Sequence, residues 1–73
     1  MREIFLSDNM KFVNDKNETS FIVHKYDYYG NNEKIWCAFT DKSIYPLKEI
    51  CISDYSPIVD GEIIKSSDII ILG

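Results

Sequence analysis

The chain has 73 residues with 12 acidic and 8 basic side chains, a net charge of −4, and 45% hydrophobic and 14% aromatic content. A chain this short buries only about 60% of the surface it exposes when unfolded, but this apolar share is enough for one compact domain and argues against intrinsic disorder. A single arginine and scattered lysines leave no basic stripe to neutralise phosphates, so nucleic acid is disfavoured as a partner.

In chain order, residues 2–6 (REIFL) and 10–14 (MKFVN) read as two short strands. A polar turn at 15–18 leads into the β-branched and aromatic run TSFIVHKY, 19–26. The Gly and Asn residues of 29–32 tolerate positive φ and mark the next turn. It is followed by EKIWCAFT (33–40), the strongest strand pattern present. A turn at 41–43 gives way to IYPL (44–47), where Pro46 lacks an N–H and marks an edge or strand end. A single 3₁₀ turn is expected over 46–49, then a strand EICIS at 49–53 and a loop at 54–57. Asp60-Gly61 is the tightest hairpin signal, joining PIV to EIIK, and DIIIL (68–72) forms a last strand.

Such a series of short strands, with no amphipathic helical pattern, predicts an all-β domain over residues 1–73. A β-rich α+β fold is the competitor. Closing the sheet toward a barrel would shelter its edges. The DIIIL run is apolar on both faces, so it lies either centrally or against another chain, which allows a homodimer.

Residues 26–50, with Cys37, Phe39, Asp41, Leu47 and Ile50 in place, resemble the middle of small SH3-like barrels of the Tudor and KOW kind. DKS stands where that pattern usually has an Asp-Gly turn, and the strands after Ser53 exceed five. The resemblance implies an SH3-like, partly open barrel of five to seven short antiparallel strands. It transfers no function.

Along 35–40, Ile35, Cys37 and Phe39 share one face and Trp36, Ala38 and Thr40 the other. The uniformly apolar first set is the expected core face, which turns Trp36 outward or into a groove beside Ala38. Tyr26 and Trp36 then become cross-strand or diagonal neighbours. Tyr26, Tyr28, Tyr29, Trp36 and Tyr45, with Asp27, Glu33 and Asp41, form the candidate binding set. Aromatic faces ringed by carboxylates suit cations, and aromatic grooves suit proline-rich chains. The expected partner is therefore another protein, through a basic or proline-rich segment. The contrary reading makes the same aromatics the core of a very small domain.

Cys37, Cys51 and the lone His24 fall short of a zinc set, and no phosphate loop, nucleophile elbow or metalloprotease motif occurs. No catalytic residue, metal or cofactor is expected. The sequence lacks a leader pattern and an apolar run able to span a bilayer, so a cytoplasmic protein without membrane contact is expected. Many Ile, Asn, Lys and Tyr residues against one Ala suggest an A+T-rich genome, as in low-G+C bacteria and their phages; in a phage or mobile element, a protein of this size and composition is expected to modulate a host protein. The alternative is a structural or self-associating module pairing through its C-terminal strand.

Overall fold

A computed structural model describes residues 1–73. Eight strands occur: β1 (Arg2–Phe5), β2 (Met10–Val13), β3 (Thr19–Tyr26), β4 (Ile35–Phe39), β5 (Ile44–Pro46), β6 (Ser56–Val59), β7 (Glu62–Ile63) and β8 (Ile69–Leu72). Single 3₁₀ turns cover Leu47–Glu49, Ile52–Asp54 and Ser66–Asp68. The fold is all-β, with no helix long and apolar enough to cross a membrane.

Six strands form one antiparallel sheet in the order β5-β4-β3-β2-β6-β7, which stays open rather than closing into a barrel. The remaining two, β1 and β8, pair in parallel as a separate ribbon, Ile4 opposite Ile71 and Phe5 opposite Leu72. Both segments read as strands in the sequence, but they pair in parallel across the length of the chain, where an antiparallel set is expected.

Local chemistry explains the turns. Asp60 (φ 52°) and Gly61 (φ 79°) both take positive φ, as a two-residue hairpin with primed-turn geometry requires. At the β2–β3 turn, the Asn14 side-chain oxygen accepts from the N–H groups of Lys16 (2.9 Å) and Glu18 (3.0 Å). A bulge after Phe12 pairs Val13 with Thr19 instead of Ser20, and both Phe12 and Val13 become buried.

Register decides which side of the sheet is core. Met10 pairs with Val23, Phe12 with Phe21 and Val23 with Ala38, placing all five on one face. Phe12 and Phe21 stack with ring centroids 4.9 Å apart, and Tyr55 meets Phe21 edge-on at 5.0 Å. The ribbon lays Ile4 and Ile69 over this cluster, and Leu47 seals its end.

The core face is therefore that of Trp36 and Ala38, the reverse of the choice made from alternation alone. Ile35, Cys37 and Phe39 lie on the opposite side, where Phe39 meets His24 (5.0 Å) and Tyr26 (5.5 Å) edge-on. Cys37 is nonetheless fully buried. Strand β4 has neighbours on both edges and apolar residues on both faces, so its own pattern carries no preference.

The expected strand at 49–53 is also replaced. With Pro46 ending β5, no neighbouring ladder remains for that segment. The chain instead makes two tight turns, Ile50 N–H to Leu47 O (3.0 Å) and Tyr55 N–H to Ile52 O (3.1 Å), that lower Ile50 and Ile52 onto the core.

Candidate functional site

An apolar groove opens where the main sheet, the ribbon and the 47–54 segment meet. Strand β4 contributes Ile35 and Trp36, the β3–β4 turn Tyr29, and the ribbon Leu6 and Ile71. The two 3₁₀ turns add Leu47, Lys48, Ile50 and Ile52. The groove holds about 510 Å³, and Lys48 is the only charged residue lining it.

Trp36 is half-buried and pairs in register with Lys25, whose ammonium lies 5.2 Å from the indole centroid. Lys48 stands likewise over Tyr29, at 5.5 Å. Both aromatic rings thus already carry a lysine from this chain. The Trp36 Nε1–H is sealed from solvent and has no hydrogen-bond partner. Gly73 lies against it: a Cβ built there would come within 3.2 Å of Trp36 Cδ1 and 3.4 Å of Nε1. A side chain there would require the indole or Leu6 to give by a few tenths of an ångström.

The structure divides the residues proposed from sequence. Trp36 and Tyr29 meet in the groove, and Tyr28 rests edge-on against Tyr29 at 5.1 Å. Tyr26 pairs with Ile35 and projects from the other side of the sheet onto Phe39, so it is not a neighbour of Trp36 as the alternation argument expected. The Asp27 carboxylate accepts from the N–H groups of Asn31 (2.9 Å) and Asn32 (3.2 Å), holding the Tyr28–Asn32 turn together. The Glu33 N–H donates to the Asn31 side-chain oxygen in the same turn (3.1 Å). Asp41 borders a separate, more polar hollow with Thr19, Thr40 and Lys42. Tyr45 is exposed on β5, opposite Ala38, and does not line the groove.

Sequence reasoning missed Leu6, Ile50, Ile52 and Ile71 as groove walls, and Lys48 as its charge. They come from segments far apart in the chain, and a local pattern carries no signal for that convergence.

No protein-family model matches the chain, and no curated protein or solved structure does either. The likeness of residues 26–50 to Tudor and KOW barrels rests on the sequence alone.

On the opposite face, His24 and Cys37 are cross-strand partners. Burial pushes the Cys37 thiol above its ordinary value and favours its neutral form. Its sulfur donates weakly to Ile35 O at 3.6 Å. Cys51 is exposed, its sulfur 3.4 Å from Ser53 Oγ.

Proposed function

We propose that this chain is a small acidic protein-binding module whose groove receives an extended, proline-rich or aliphatic segment of a partner protein. The observation that carries the reading is the unpartnered Trp36 Nε1–H set in an otherwise apolar wall. A buried donor left without an acceptor costs about 1–3 kcal/mol. A peptide carbonyl that displaces Gly73 satisfies it, while apolar side chains fill the groove. The basic segment loses support, because Lys25 and Lys48 already occupy the cation positions over Trp36 and Tyr29. The proline-rich segment keeps its support.

Trp36 is the only tryptophan, so its indole N–H gives a single resonance in a ¹⁵N-correlated spectrum. Titration with proline-rich and aliphatic peptides is expected to move that resonance together with the amides of Tyr29, Leu47 and Ile50. If those signals stay fixed under every peptide, the groove is not a binding site.

A second reading, self-association, is favoured by the outer face of the ribbon. Phe5 is 68% exposed and Ile70 45%, on a parallel pair with no strand on either outer edge. Parallel pairs are normally covered on both faces. Static light scattering over a concentration series tests it: a mass above 8.5 kDa that Ile70→Glu abolishes supports association. A monomer at the highest concentration rules it out.

A further inference from the structure

From the distribution of charge around the groove, we infer that the segment it receives carries carboxylates beside its apolar core. This rests on the groove reading above and names the partner's chemistry. The chain as a whole is acidic, at −4, yet the one charged lining residue is Lys48 and the residue over the groove's indole is Lys25. Both side chains are exposed at their residues while their ammonium groups rest over aromatic faces. Each is a cation on a negative protein, set over an aromatic ring that lines the groove in which apolar surface and an unsatisfied donor coincide. An incoming lysine or arginine meets these ammonium groups and must displace one to reach a ring. An incoming Asp or Glu meets two charges of opposite sign and leaves the cation–π contacts in place. The remaining acidic surface repels segments that are acidic throughout, so recognition falls to a short apolar run with local carboxylates.

The test is a display selection of short random peptide segments on the folded chain, run in parallel on wild type, Trp36→Phe and Lys48→Glu. The expected result is enrichment of proline or aliphatic residues flanked by Asp or Glu. Trp36→Phe should weaken binding of the selected peptides without changing their charge preference. Lys48→Glu is expected to lower the affinity for carboxylate-flanked peptides several-fold and to erase the preference at low salt, as exposed pairs are weak and screened. Enrichment of apolar segments with no charge bias, or with Lys and Arg flanks, overturns the inference and leaves the groove reading standing. No enrichment on wild type, with the ¹⁵N spectrum confirming a folded chain, overturns both.

Discussion

Replacing Trp36 with phenylalanine distinguishes an orphaned donor from an ordinary core indole. The substitution removes about 40 Å² of apolar surface, a loss of about 1 kcal/mol. It also removes the buried N–H that has no acceptor, relieving a penalty of about 1–3 kcal/mol. The two effects oppose one another, so Trp36→Phe is expected to lie within about 1 kcal/mol of wild type, or to stabilise the protein. Trp36→Ala removes the whole ring. Because the residue is only half-buried, its cost falls toward the lower end of the usual range for large aromatics, about 3 kcal/mol. Urea denaturation followed by far-UV circular dichroism reads both variants without relying on tryptophan fluorescence. The corresponding difference in melting temperature is about 4–8 °C per kcal/mol for a domain of this size. If Trp36→Phe proves as destabilising as Trp36→Ala, the N–H is satisfied in solution and the central argument for the groove is refuted.

Asp27→Ala removes the acceptor of two turn N–H groups and is expected to cost about 1–2 kcal/mol, read as a lower urea midpoint; an unchanged midpoint shows that the turn holds without it. Gly61→Ala meets no atom within 4 Å but must keep φ at +79°, so a loss of about 1 kcal/mol with no change of fold is expected in thermal unfolding. Labelling with a thiol reagent at neutral pH is expected to modify Cys51 at once and Cys37 only after denaturant is added. Since burial raises the Cys37 value above the ordinary 9.0, the folded state binds that proton more tightly than the unfolded state. Its contribution to stability is complete below the ordinary thiol range and falls as pH rises through the folded value. Cys37→Ala should flatten that alkaline slope; an equal slope in both proteins disproves the assignment.

Strand β3 was legible to its end residues, because Thr19–Tyr26 is β-prone and bounded by turn residues on both sides. The Asp60-Gly61 hairpin was equally plain, since few residue pairs tolerate its backbone. The face of β4 was not legible. Ile35, Cys37 and Phe39 look like a core set, but the choice depends on Phe12 and Phe21 in other strands, whose pairing fixes the side on which Ala38 and Trp36 lie. The 49–53 segment has strand composition yet no partner to bond, and tertiary position overrides its propensity. For the site, Tyr29 and Trp36 could be picked out as large aromatics near one turn. Their lysine covers, and the walls supplied by Leu6 and Ile71, depend on distant segments meeting.

The β1–β8 ribbon sets an order of assembly. Joining β3 to β4 closes only the loop 27–34, whereas joining β1 to β8 encloses residues 6–68. Closing the eightfold longer loop first would cost about 2 kcal/mol more chain entropy. The local hairpins β2–β3 and β3–β4 are therefore expected to form before the ribbon, and the ribbon, with no strand on either outer edge, is expected to open before them. Amide exchange in Ile4 and Ile71 should accordingly outpace that in Val23 and Ala38. Leu6 and Ile71 wall the groove and Gly73 covers the indole, so each excursion of the ribbon dismantles one side of the groove and uncovers the Trp36 N–H while the sheet persists. Access to that donor is then expected to follow the local opening of the β1–β8 ribbon.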